Sequence, residues 1–295
     1  MLNIVFMGSP EYAVKILDAL AKKYNICAVY TQPDKPVGRK KTLTPTPVKK
    51  YALEKGFEVL TPLSLKEENI NRFKPDFIVV AAYGLLLPKR VLDTAPCINL
   101  HASLLPKYRG ASPIQSAVLN GERYTGVTSM LMDEGLDTGD ILTWDYTDVG
   151  EKTAEDLFEE LGDMAASQII YVIENFQKIK PIKQNNLLAT YSPKIKKQDG
   201  FVDFENAKII DRKYRAFKPW PGIFTEKFKI NEMELIDTDS VNNPGEILEM
   251  DEGVIVGCKK GKIKLLKLQA PGKKEVSAID YVNGKRLKTG QNILG

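Results

Sequence analysis

Short apolar runs alternate with segments of helical period through the first half of the chain, and few architectures accommodate that order. Leu2 to Met7, Ile26 to Tyr30, Phe77 to Ala81 and Ile98 to Leu100 are too short for helices and too evenly apolar for strands with one wet face, so they read as buried strands. Between them, Glu11 to Lys22 and Pro47 to Lys55 carry apolar residues at helical spacing, and Pro113 to Leu119 reads as a helix opened by proline. Strand and helix repeated in this way predict an α/β chain with a Rossmann-like, doubly wound, mostly parallel sheet. Thr125 to Met132 and Ile141 to Tyr146 then read as a strand pair around the turn Asp133 to Asp140, before a long helix from Thr153 to about Phe176.

The length of 295 residues suits two domains. From Lys178 to Gly200 the chain is rich in Lys, Gln, Asn and Pro without periodicity, as an extended linker would be. Beyond it, turn signals at Asn243-Pro244-Gly245, Glu252-Gly253, Gly261 and Pro271-Gly272 separate short runs, including Val254 to Cys258 and Ile263 to Leu268. The expected division is therefore an α/β domain over 1–180, a linker over 181–205 and a small β-barrel domain over 206–295.

Several function classes drop out by count. Cys27, Cys97 and Cys258 are too few and too scattered for a disulfide framework or a zinc site, and the chain has one histidine, so no metal is expected. The longest apolar stretch, Phe77 to Leu87, falls short of a membrane span, and Leu2 to Met7 has no basic region before it, so no membrane association and a cytoplasmic location are expected. Charge is uneven. Up to Glu205 there are 25 Lys and Arg against 26 Asp and Glu, whereas Asn206 to Gly295 holds 17 against 12. Thr31 to Lys50 carries Lys35, Arg39, Lys40, Lys41, Lys49 and Lys50 against Asp34 alone. A basic loop and a basic second half suit a polyanionic partner, although surface lysines also serve simply to keep a chain in solution.

The residues with chemical potential gather at the end of the Ile98 to Leu100 strand, where open α/β sheets bind ligands. Asn99 and His101 are two apart, so on a strand their side chains share a side. One offers an amide donor and the other an imidazole, a pair suited to a carbonyl becoming tetrahedral. The plain alternative is that both satisfy buried backbone groups. It must then also explain the shaped loop downstream, Ser103-Leu104-Leu105-Pro106-Lys107-Tyr108-Arg109-Gly110. Asp137, within Gly135-Leu136-Asp137-Thr138-Gly139-Asp140, is a third candidate; turn capping alone would account for some of the aspartates there. Gly8-Ser9-Pro10 after the first strand lacks the glycine fingerprint of a dinucleotide fold, which argues against a nicotinamide oxidoreductase.

These segments resemble the folate-dependent formyltransferases, and within them the members that act on methionyl-tRNA. The resemblance runs from Met7-Gly8-Ser9-Pro10 through Thr31-Gln32-Pro33-Asp34-Lys35-Pro36, Ala82-Tyr83-Gly84-Leu85-Leu86-Leu87-Pro88 and Asn99-Leu100-His101-Ala102-Ser103-Leu104-Leu105-Pro106 to Gly135 through Asp140. It continues into Ala189-Thr190-Tyr191 and Pro219-Trp220-Pro221-Gly222. Asn99, His101 and Asp137 match the catalytic residues of formyltransferases generally, so they speak for the reaction more than for the acceptor. The resemblance implies 10-formyltetrahydrofolate as donor, held by Ser103, Leu104, Leu105 and Pro106 with Tyr83, Gly84 and Leu85 as a neighbouring wall. It implies initiator methionyl-tRNA as acceptor, met by Lys35, Arg39, Lys40 and Lys41 and by an OB-like C-terminal domain. A monomer is expected. The chain departs from the pattern at Lys218, usually Asn, and at Phe204, usually Trp. Two other readings stand beside this one: a formyltransferase for a small amine, such as a glycinamide or amino-sugar nucleotide, and a nucleic-acid-binding protein without activity.

Overall fold

The computed structural model describes residues 1–38 and 41–295, so Arg39 and Lys40 of the basic loop lie outside the described residues. The chain divides into two compact units. One comprises Met1–Ile114, Arg123–Asp148 and Asp156–Pro193, and the other Gln115–Glu122, Val149–Glu155 and Lys194–Gly295.

The first unit runs β1 (Asn3–Gly8), α1 (Glu11–Ala21), β2 (Asn25–Tyr30), β3 (Lys35–Val37), β4 (Thr42–Thr44), α2 (Pro47–Glu54), β5 (Val59–Leu60), β6 (Phe77–Ala81), α3 (Lys89–Leu92), β7 (Cys97–His101) and β8 (Arg109–Gly110). After α4 (Pro113–Asn120), most of which belongs to the second unit, come β9 (Tyr124–Leu131), β10 (Ile141–Asp148), α5 (Ala154–Asn175) and β11 (Tyr191–Ser192). Seven strands form one sheet in the order β10-β9-β7-β6-β1-β2-β5. From β7 to β5 every pairing is parallel, and β9 and β10 are added antiparallel at one edge.

The apolar runs are strands because both faces of the sheet are covered. Ile4, Val5, Phe6 and Met7 of β1 are all fully buried. Val5, Met7, Ala28, Tyr30, Ile78 and Val80 pack on one face against Leu65, Ile70, Leu87 and Val91. Helices α1 and α5 are joined by Lys15, which pairs with Glu159 at 2.6 Å and Asp163 at 3.0 Å. At the end of β1, Gly8 lets α1 begin at once: a Cβ there would lie 2.7 Å from the Cβ of Ala13 and 2.9 Å from the carbonyl of Ala81. Thr46 caps α2, its hydroxyl accepting from the Lys49 N–H at 3.1 Å, with Pro47 following in the first turn.

The second unit holds α6 (Ala207–Phe217), β12 (Ile223–Phe224), β13 (Lys229–Asp237), β14 (Ile247–Met250), β15 (Val254–Gly257), β16 (Lys262–Gln269), β17 (Val276–Ser277) and α7 (Ala278–Gly284). Its strands pair antiparallel in the order β12-β13-β16-β15-β14, and β17 joins β16. Three register shifts interrupt the β13–β16 ladder, and each such irregularity increases the local twist of a sheet. Phe204, where the resemblance leads one to expect Trp, is fully buried. Lys218 stands with its ammonium 6.0 Å from the centre of the Tyr214 ring.

Two features differ from the sequence reading. The basic loop contains a small antiparallel hairpin, β3 with β4, whose residues are all exposed and therefore carry no apolar signal. The polar stretch expected to be an extended linker is held along its first half. Gln184 and Ser192 are buried, and β11 pairs in parallel with β8. Among the described residues no helix is long and apolar enough to cross a membrane.

Candidate active site

Strand β7 is buried along its length and delivers Asn99 and His101, 8% and 7% exposed, to one side of its carboxyl end. The long turn after β9 brings Asp137 to them. The Asn99 amide donates to Asp137 Oδ1 at 3.4 Å, and His101 Nδ1 lies 3.7 Å from Asp137 Oδ2. Both separations are long for bonded partners. The short contact to the carboxylate comes from the main chain, where the Gly110 N–H donates to Asp137 Oδ2 at 2.8 Å.

The imidazole is likewise held by backbone. His101 Nε2 is 2.9 Å from the Tyr108 carbonyl. A carbonyl only accepts, so Nε2 carries the hydrogen in this contact and Nδ1 is the nitrogen that faces Asp137. Ring orientation therefore comes from Tyr108. Tyr108 and Asp137 both have left-handed backbone, φ 60° and 52°, which aims the carbonyl of one and the carboxylate of the other into the site.

The loop from Ser103 to Pro106 acts largely as scaffold. Ser103 is fully buried and donates to the Lys107 carbonyl at 2.6 Å; the Leu105 N–H donates to the Thr128 hydroxyl at 3.0 Å, and Leu105 packs on Met130 and Ile141. Leu104 and Pro106 are half-buried. Tyr83 does not line a wall with its side chain: the ring is 2% exposed in the core beneath the sheet, because its aromatic body completes that layer. Its carbonyl accepts from the Gln32 amide at 2.9 Å, and Gln32 also accepts from the Lys35 ammonium. Gly84 and Leu85 do line a cleft of about 590 Å³, together with Leu63, Lys66, Leu86, Pro88, Lys89 and Glu134.

Of the basic loop, Lys35 and Lys41 are exposed, Lys41 with left-handed backbone at φ 49°. Lys49 is neutralised by Asp34 at 2.7 Å. At the start of β7, burial pushes the Cys97 thiol up to about 12 and keeps it neutral.

Sequence reasoning missed Gln184, Thr190 and Ser192. The Tyr108 N–H donates to the Thr190 hydroxyl at 2.9 Å, and Ser192 shares its hydroxyl hydrogen between the carbonyls of Tyr108 and Arg109, each at 3.2 Å. Gln184 bonds Arg109 and the main chain of the Asp137 turn. The available signal was the Ala189-Thr190-Tyr191 match for Thr190 alone, whereas Gln184 and Ser192 lay in a segment whose Lys and Asn content masked them.

The family described as Formyl transferase matches residues 2–173, and its C-terminal domain matches residues 194–286. The chain is 52% identical to the methionyl-tRNA formyltransferase of a Nitratiruptor species, over 98% of this chain and 99% of that one. To the methionyl-tRNA formyltransferase of Campylobacter lari it is 51% identical, over 99% and 100%. Among solved structures, the N-formyltransferase from Helicobacter canadensis in complex with folinic acid and dTDP-3-aminofucose superposes with a TM-score of 0.68 at 22% identity, covering 92% of this chain and 100% of that one. At that identity the likeness speaks for the fold alone. The full-length relatives and the family match together establish that this chain belongs to the formyl transferase family.

Proposed function

We propose that the protein transfers a formyl group from 10-formyltetrahydrofolate to the amino group of initiator methionyl-tRNA, acting as a monomer in the cytoplasm. The observation that carries this reading is the extent of its likeness to methionyl-tRNA formyltransferases, about half identical along the whole chain, the C-terminal unit included.

Asn99, His101 and Asp137 are the proposed catalytic residues. Asn99 Nδ2 and His101 Nδ1 both point at the Asp137 carboxylate across gaps too long for strong bonds. The Asn99 amide, left slack in this way, can turn to a substrate oxygen on which negative charge develops, and His101 Nδ1 becomes a second donor when the imidazole carries a proton on both nitrogens. The acceptor amine attacks the formyl carbon; Asp137, held by Gly110 beside the imidazole, takes up the proton that the amine releases, and that proton passes to N10 of the folate as its bond to the formyl carbon breaks. No covalent enzyme intermediate is required.

The folate is assigned to the cleft of about 590 Å³, a volume suited to a small molecule. Leu63, Leu85, Leu86 and Pro88 offer apolar walls for a flat heterocycle, and Lys66 offers a cation for an anionic end, while Lys89 is matched by Asp93 at 2.8 Å. Solved proteins of the same fold are described in complex with folinic acid and with tetrahydrofolic acid, which supports a folate ligand. Gly84 and Leu85 contribute directly, while Ser103, Leu105 and Tyr83 support the site through the packing and main-chain bonds given above. Lys35 and Lys41, with Arg39 and Lys40, are assigned to the tRNA.

The test is formyl transfer from 10-formyltetrahydrofolate to charged initiator methionyl-tRNA, beside uncharged tRNA, elongator methionyl-tRNA and a glycinamide nucleotide. Formylation confined to the charged initiator is expected. Formylation of the nucleotide alone would keep the chemistry and overturn the acceptor, and no transfer would overturn both.

A further inference from the structure

Gln184 is 6% exposed, and every polar valence of its amide is used. Its oxygen accepts from Arg109 Nε at 3.1 Å and Nη2 at 2.8 Å, and its nitrogen donates to the Asp137 carbonyl at 2.9 Å and the Gly139 carbonyl at 2.7 Å. The residues it joins are not arbitrary. Arg109, itself 2% exposed, sits between the two backbone groups that touch the site, the Tyr108 carbonyl on His101 and the Gly110 N–H on Asp137. On the other side, the amide grips Asp137 by its own carbonyl, at a residue whose left-handed φ of 52° is uncommon outside glycine, asparagine and aspartate.

A carboxylate poised 3.4 and 3.7 Å from its neighbours depends on where its backbone is held, and misplacement by about 1 Å can cost on the order of 100-fold in rate. We infer that Gln184 is a positioning residue for the reaction: by tying the Asp137 turn to the Arg109 strand, it sets the place of the Asp137 carboxylate relative to His101 and Asn99. This rests on the reading that Asp137 takes part in formyl transfer. A merely structural role, in which the amide only satisfies a buried guanidinium, predicts different results.

Two variants separate these roles. Gln184→Met removes all four bonds, whereas Gln184→Glu keeps an acceptor for Arg109 and removes both donors to the turn. Turnover at saturating substrates should fall about 10- to 100-fold in each, with KM for both substrates changed less than about 3-fold. In an Asp137→Asn background, Gln184→Met should cost nothing further, because the group it places is already gone.

A second readout needs no turnover. The chain has one histidine, so the imidazole 1H–15N signals belong to His101 alone. Relative to the wild type, both Gln184 variants should displace them in the direction that Asp137→Asn does. Wild-type turnover in Gln184→Glu, a full multiplicative loss in the double variant, or wild-type imidazole signals in both Gln184 variants would each overturn the inference. Failure of the wild type to transfer formyl groups would bring down the reading of function instead, and the imidazole spectra would still decide the placement.

Discussion

His101 and Asp137 are anchored by main-chain groups, a carbonyl and an N–H, while their side-chain contacts to each other stay loose. An oxyanion donor removed from such a site typically costs ~10² to 10³ in turnover. Asn99→Ala and His101→Ala should each fall by at least that much in the formylation assay, with tRNA affinity in a filter-binding titration nearly intact. Retained turnover in either variant would remove that residue from the reaction. Gly139 invites a different experiment. A Cβ there would lie 1.6 Å from the Leu131 carbonyl, so Gly139→Ala must push the Asp137 turn away from β9. Strain of this kind usually costs roughly 1–3 kcal/mol, seen as a lower denaturation midpoint, and turnover should drop with it. Much of this centre was legible: the two-residue spacing of Asn99 and His101 placed both side chains on one side of a strand. What was hidden was the backbone, because Tyr108 and Gly110 act through atoms that every residue possesses. Gln184 was hidden too, since a buried amide and a solvated one look alike in a polar run.

Among the elements, the buried strands were read nearly to their ends because a sheet covered on both faces is apolar almost throughout, the polar Asn99 and His101 of β7 marking the site. The pairing of β8 with β11 was not legible at all. Two residues on each side carry no periodicity, and the partners lie far apart in the chain. The β3–β4 hairpin escaped for the opposite reason, being too exposed to alternate. It is also the element on which the proposed tRNA interaction can be tested. Neutralising Lys35, Arg39, Lys40 and Lys41 should flatten the salt dependence of tRNA binding by about one unit of log–log slope for each phosphate left without its cation. An unchanged slope would show that the hairpin stays clear of the nucleic acid. Lys49 belongs in a separate variant, because its charge is already matched by Asp34.

At the scale of the molecule, each unit buries a thiol, Cys97 in the first and Cys258 in the second, and burial pushes both up to about 12. In the unfolded chain a thiol ionises near ~8.5. The native state therefore keeps protons that the unfolded state releases, so this contribution to stability is complete below about pH 8.5 and is lost as pH rises toward 12. Urea unfolding followed from pH 8 to 10.5 should show stability falling with pH, and Cys97→Ala with Cys258→Ala should lessen the slope. An identical slope in the double variant would assign the loss to other groups. Native protein at pH 8 should accordingly react with a thiol reagent at Cys27 first, the least buried of the three.

The β8–β11 bridge also has a meaning in time. All seven strands of the large sheet are complete once Asp148 has been synthesised, yet Gln184, Thr190 and Ser192, which fasten the loop carrying Tyr108 and Gly110, leave the ribosome later. A nascent chain halted between those points would own its whole central sheet and both strand-borne side chains, but would lack the strip that closes over them. On the roles proposed for His101 and Asp137, competence for chemistry arrives late in biosynthesis. A chain cut short before that strip is expected to show no formyl transfer even where its central sheet forms.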